Sequence, residues 1–208
     1  MLVTLITLLF IVINAIIDVN FMVIMKKTSS KRTSPPPVDV LRCVRSPEGR
    51  LIADFYGKLP CTKPLWLGTR PDMLRRAVAH DLASAWFGEP TVADGAFMTQ
   101  VQEGAERAAF AALPMIHKSG GCVLGLESVM QALEAGALKC VIIATDAGRS
   151  DQKKLINNPD HAPFCTAFGT RAQLGAAFGR RAQVFIGIRH GLLAKKLAFF
   201  LRCNTGFL

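Results

Sequence analysis

The sequence predicts an α/β protein: a C-terminal α/β/α sandwich with a small N-terminal α+β module. Three observations lead there. Beyond about residue 113, segments of helical period alternate with short apolar runs, and Val141-Ile142-Ile143 is unbroken, as in a strand covered on both faces. Before residue 90 the pattern is instead strand-like alternation around a Pro/Gly turn, followed by one amphipathic helix. Finally, 208 residues hold one large domain or two small ones, the smaller only marginally stable alone.

Residues 1–25 are almost continuously apolar, interrupted only by Thr4, Thr7, Asn14, Asp18 and Asn20. The run is long enough to span a bilayer. Lys26, Lys27, Lys31 and Arg32 follow it, which for an anchor would leave the rest of the chain in the cytoplasm. No base precedes the run and no Ala-x-Ala site ends it, so it makes a poor secretory signal. Met25-Lys26-Lys27-Thr28 also reads as the start of a bacterial cytosolic protein. A start assigned too early, an anchor and a signal therefore stay open. Residues 26–37, rich in Ser, Thr, Lys and Pro, read as a solvated linker.

Residues 38–90 form the first module. Val38 to Asp54 alternates, with Leu41 and Cys43 on one face and Leu51 and Ala53 after the turn Ser46-Pro47-Glu48-Gly49, a β-hairpin pattern. Leu65-Trp66-Leu67 is a short third strand. Thr69 is placed to cap a helix with Pro71 and Asp72 in its first turn. Leu74, Ala77, Val78, Leu82, Ala85 and Trp86 then recur at helical spacing, with Arg75, Arg76 and His80 off that face. Gly88 and Pro90 close the unit.

Residues 91–112 are Ala-rich and read as a linker running into a helix. Residues 113–202 form the second module. A helix from Leu126 to Ala135 stops at Gly136, and Lys139 to Thr145 is a buried strand. Arg149 to Asn157 is helical and Phe164 to Phe168 a strand. A helix from Thr170 to Phe178 stops at Gly179, Gln183 to Ile188 is a strand, and Leu192 to Leu201 is a last helix.

The net charge is +10. Residues 26–90 carry twelve bases against six acids, and residues 91–208 thirteen against eight. Both modules are therefore basic, as a polyanionic partner or an anionic membrane would require. Cys43, Cys61, Cys122, Cys140, Cys165 and Cys203 contain no Cys-x-x-Cys pair, so they read as free thiols of a reduced cytoplasmic protein, and Cys140 and Cys165 as small hydrophobes in apolar runs. Gly120 and Gly125 have the spacing that opens a P-loop, but Leu126 and Glu127 stand where Lys and Ser/Thr are needed. His80, His117, His161 and His190 offer no pair at ligand spacing. Asp146 at a strand end is read as a helix cap rather than a catalytic acid. No catalytic constellation, metal site or cofactor is expected.

The run Leu41-Arg42-Cys43-Val44-Arg45-Ser46-Pro47-Glu48-Gly49-Arg50, with Asp54 and then Gly57-Lys58-Leu59-Pro60, resembles the YlxR family. These small bacterial proteins are regarded as nucleic-acid binders, often encoded among genes of transcription termination and translation initiation. The chain departs from that pattern in two places. The Arg-x-Cys opening is absent, and Cys61-Thr62-Lys63-Pro64 stands where Gly-Arg-Gly normally follows Leu-Pro. The resemblance implies nucleic-acid contacts from Lys58, Lys63, Arg75 and Arg76.

From Leu113 to Leu197 the chain is similar to the kink-turn-binding ribosomal family (L-seven-Ae type), in the bacterial form found beside or fused to YlxR. Lys118, Gly120, Gly125, Glu127, Val129, Leu133 and Gly136 carry the likeness, with Ala144-Thr145-Asp146-Ala147 and Leu174-Gly175-Ala176-Ala177-Phe178-Gly179-Arg180. The resemblance implies that RNA is gripped by the start of the helix at Gly125 to Ser128 and by the loop Gly179 to Ala182, where Arg180 and Arg181 add charge. Helix N-terminal amides attract phosphate, and glycine lets backbone approach it. Where archaeal and eukaryotic members read the kink with Asn-Glu and a Lys, this chain has Glu127, Ser128 and Gln131. Lys118 and Gly120 complete the expected site. The expected partner is structured RNA, in the ribosome or a transcription complex. A membrane-tethered interaction protein is the alternative if residues 1–25 are native.

Overall fold

The structure, a computed structural model, describes residues 40–68, 71–148 and 164–205. The apolar segment 1–25, the linker 26–37, the Thr69 cap, the helix expected over 149–157 and the last three residues lie outside them.

The first module is a three-stranded antiparallel sheet. Strands β1 (Val40–Arg45), β2 (Leu51–Ala53) and β3 (Leu65–Gly68) lie in the order β2-β1-β3. The β1–β2 turn is the expected one: Gly49 donates to the Ser46 carbonyl at 3.0 Å in a left-handed conformation, which glycine adopts without a steric cost. Leu41, Cys43, Leu51, Leu65 and Leu67 form one buried face.

The helix expected to run unbroken from Met73 to Trp86 is two helices, α1 (Pro71–Ala79) and α2 (Leu82–Phe87). Between them Asp81 takes a left-handed conformation, φ 47°. A continuous helix would place residue 81 seven positions after Leu74, on the same apolar stripe. The break turns Asp81 to solvent and brings Ala83 into the core with Leu74 and Ala77.

The stretch expected as a linker running into a helix is helical from Gly95 onward. The 24-residue α3 (Gly95–Lys118) starts at Asp94, whose side chain accepts from the Ala96 and Phe97 amides. Its Phe97 and Val101 enter the first core, and Ala108, Ala109, Ala112, Leu113 and Ile116 enter the second. Phe55 touches both cores and meets Phe200 edge-on at 6.1 Å. Gly104 makes room for it: a Cβ there would sit 2.5 Å from the Phe55 ring. One helix and two aromatics, Phe55 and Phe199, thus tie the modules together.

The second sheet contains β4 (Cys122–Leu124), β5 (Leu138–Ile143), β6 (Phe164–Ala167) and β7 (Phe185–Arg189), in the order β4-β7-β5-β6. Only the β5–β6 pair is parallel. The unbroken apolar run of β5 splits by face. Cys140 and Ile142 pack with α3, α5 (Arg171–Ala177) and α6 (Leu192–Thr205). Val141 and Ile143 pack with Val129 and Leu133 of α4 (Leu126–Glu134). This is the α/β/α sandwich the sequence predicts. The short strand β4 was not anticipated, nor was the burial of Cys203 on α6. Cys165, read as a buried hydrophobe, is exposed. Among the described residues no helix is long and apolar enough to cross a membrane.

Candidate nucleic-acid interface

Four backbone hydrogen bonds gather several chain segments at one end of the second sheet. The Gly125 amide donates to the Phe185 carbonyl at 3.0 Å and the Ala144 amide to Val184 at 2.9 Å. The Thr145 amide donates to Gly169 at 2.8 Å, and the Gln183 amide to Arg171 at 2.9 Å. The start of α4, the Thr145–Gly148 turn, the start of α5 and the last residues of the loop that runs from Gly179 into β7 therefore share this end.

Gly125, with φ 95°, caps α4 without a side-chain acceptor. A Cβ on it would meet nothing within 4 Å, so the approach to the first-turn amides is open. Those amides carry the positive end of the helix dipole. Glu127, Ser128 and Gln131 are exposed while Val129 is buried, so the three polar side chains project outward from α4.

Gly175 fixes the arginine loop. A Cβ on it would come within 2.7 Å of three backbone atoms of Arg180 and Ala182, and the Arg180 amide donates to the Gly175 carbonyl at 2.8 Å. The loop lies flat on α5, with Arg180 and Arg181 exposed. Arg180 is within electrostatic reach of Cys122. Burial raises the pKa of that thiol, while Arg180 and Arg189 oppose the rise.

The segment that Asp146 is expected to cap lies outside the described residues; within them Asp146 pairs with Arg171. Its carboxylate accepts from the Arg171 amide at 2.8 Å, and the Arg171 guanidinium reaches the Asp146 carbonyl at 2.7 Å and its carboxylate at 3.4 Å. The Arg171 amide is the main reason the Asp146 pKa lies below the usual aspartate value. Among the described residues this end shows Arg171 and Glu127 beside the paired Asp146, and the loop bearing the exposed Arg180 and Arg181 leads into it.

Not every expected residue joins this group. Lys118 and Gly120 precede β4, whereas Gly125 follows it. The Arg189 amide bonds the Gly121 carbonyl at 2.9 Å, which places them at the opposite end of the sheet, about 13 Å of extended chain away. Sequence spacing also gave no sign that His117 and Cys122 meet. His117 Nδ1 lies 3.4 Å from Cys122 Sγ and its ring packs edge-on against Phe178, joining the end of α3 to the arginine loop's base.

In the first module, Lys58, Arg75 and Arg76 are exposed. Lys63 is not the free charge its position suggests: its Nζ donates to the Trp86 carbonyl at 2.8 Å and lies 4.9 Å from the Trp86 ring centre. The Gly57-Lys58-Leu59-Pro60 element is built on Asp54. That buried carboxylate pairs with Arg42 and accepts from the Lys58 and Leu59 amides at 3.1 and 3.0 Å. Among the described residues no group of three or more His, Cys, Asp or Glu side chains is arranged to hold a metal.

Open helix amides and an arginine loop at one end of an α/β/α sandwich define the class: a basic domain shaped to meet an anion. The family model for the Ribosomal protein L7Ae/L30e/S12e/Gadd45 family matches residues 107–191. Among solved structures, a protein of unknown function from Bacillus halodurans C is 28% identical, with 45% of this chain and 95% of that one covered and a TM-score of 0.43. A 15.5kD RNA binding protein from Giardia lamblia is 17% identical, with 47% and 85% covered and a TM-score of 0.40. No curated protein matches the chain.

Proposed function

We propose that this protein binds structured RNA in the cytoplasm, in the ribosome or in a transcription complex, as a YlxR-like module joined to a kink-turn-type module. The observation that carries the reading is the shared attachment of the Gly125 and Gly179 segments to the start of β7: the Gly125 amide donates to the Phe185 carbonyl, and the Gly179–Ala182 loop runs into Gln183, whose amide donates to the Arg171 carbonyl. The family match over residues 107–191 supports it independently. Phosphate sits at the α4 amides and at Arg180 and Arg181, while Ser128 and Gln131 face base or sugar edges. Glu127 cannot hold phosphate, but its carboxylate can accept from a guanine edge. Lys58, Arg75 and Arg76 extend the basic surface onto the first module, and Lys118 contributes only through an RNA long enough to pass the β4 edge. Contacts of this kind are mainly to phosphate and sugar, and they read shape.

A filter-binding series against salt tests the reading with a kink-turn RNA and an unrelated hairpin. Replacing Arg180 and Arg181 together by Ala should weaken binding several-fold and flatten the logarithmic salt slope by roughly one to two. Unchanged affinity and slope would remove the loop from the interface.

A further inference from the structure

Arg107, exposed on α3, lies between two grooves. One, of about 480 Å³, separates α3 from α5 and includes Phe110, Gln173 and Ala176. The other, of about 260 Å³, separates α3 from the loop after β2 and includes Tyr56, Lys58, Leu59 and Gln100. Gln100 to Phe110 covers about 15 Å of helix, so the grooves follow one another along a single face. At the α5 side this face leads toward Gly179–Arg181. At the other it ends on Tyr56, the single tyrosine of the sequence, which is 61% exposed.

The Tyr56 loop is held firmly. The buried Asp54 carboxylate binds the amides of Lys58 and Leu59, and Arg42 donates to the Leu59 carbonyl at 3.1 Å. A fixed loop that presents an aromatic face to water, beside a lysine, has the composition of a base-stacking platform. Asp54 does not oppose a phosphate there, because Arg42 neutralises it. The carboxylates along the face are Glu103, 3.6 Å from Arg107, and Glu106. Resting on the RNA-binding reading above, we propose that an unpaired strand leaving the structured RNA runs along this face, with one base stacked on Tyr56 and its phosphate at Lys58.

The test uses the full chain and two labelled RNAs, one folded hairpin and the same hairpin with an unpaired adenosine tail. The tail should tighten binding roughly fivefold or more. Tyr56→Ala should erase that gain and Tyr56→Phe should keep it. A gain that survives Tyr56→Ala, or no gain with the natural chain, overturns the proposal. Failure to bind either RNA refutes the RNA reading and this inference together, whereas equal binding of both refutes the inference alone.

Discussion

Two aspartate–arginine pairs organise a loop apiece, and they do so in opposite surroundings. Asp54 and Arg42 are largely withdrawn from water, with side-chain exposures of 4% and 15%. Asp146 and Arg171 are each 48% exposed. Both aspartates accept backbone amides beyond the partner guanidinium: Lys58 and Leu59 in one case, Arg171 in the other. The difference in burial decides their roles. A buried carboxylate that loses a partner leaves uncompensated charge and unsatisfied amides. An exposed one hands its partners to water. The first pair therefore maintains the fold of its loop, while the second orients a surface already held by the sheet.

The largest effect should follow from breaking the buried pair. Asp54→Ala strands Arg42 and two loop amides, and should cost about 3 kcal/mol. A denaturant-unfolding midpoint measures it, with Asp54→Asn expected to cost less because its side-chain oxygen can still accept. If Asp54→Ala is nearly neutral, the loop is held by something else, and the rigid Tyr56 platform loses its basis.

An intermediate effect is expected where packing rather than charge shapes the surface. Gly175→Ala places a methyl against the backbone of Arg180 and Ala182, which no rotamer change can relieve. It should cost about 1–3 kcal/mol and lift the arginine loop from α5. RNA affinity should fall although no charge is removed, and NMR shift changes should centre on residues 179–183. If the shifts stay at residue 175 with affinity unchanged, the loop's seat on α5 does not matter to binding.

These contrasts also show what the sequence can and cannot disclose. The hairpin, the α/β alternation and the stop at Gly136 are local signals, carried by periodicity and turn chemistry within a few residues. The broken helix was missed because Asp81 falls on the stripe that six apolar positions define, and only the core decides which residue gives way. The start of the long α3 was not legible because half of its buried face is alanine, which patterns weakly. The attachment of both Gly125 and the arginine loop to the start of β7 has no local signal, since no spacing encodes which strand ends are neighbours. The same limit hid the seating of Lys63 on Trp86 and the meeting of His117 with Cys122. Lys118 and Gly120 are set apart from Gly125 by the three residues of β4, a strand too short for its pattern to show.

The smallest effect, and the most discriminating about cause, belongs to the exposed pair. The folded pKa of Asp146 is lowered, so its contribution is complete above the ordinary aspartate value of about 3.9 and is lost as pH falls through the lower folded value. The largest cause is the Arg171 amide, with the guanidinium charge a lesser one. Arg171→Ala keeps the amide, so an NMR titration of the Asp146 carboxyl should still find a midpoint below the ordinary value, moved up only part of the way. Full relaxation to the ordinary value would mean that the guanidinium holds the carboxylate. In that case the exposed pair works as the buried one does, and burial alone would no longer separate the two loops.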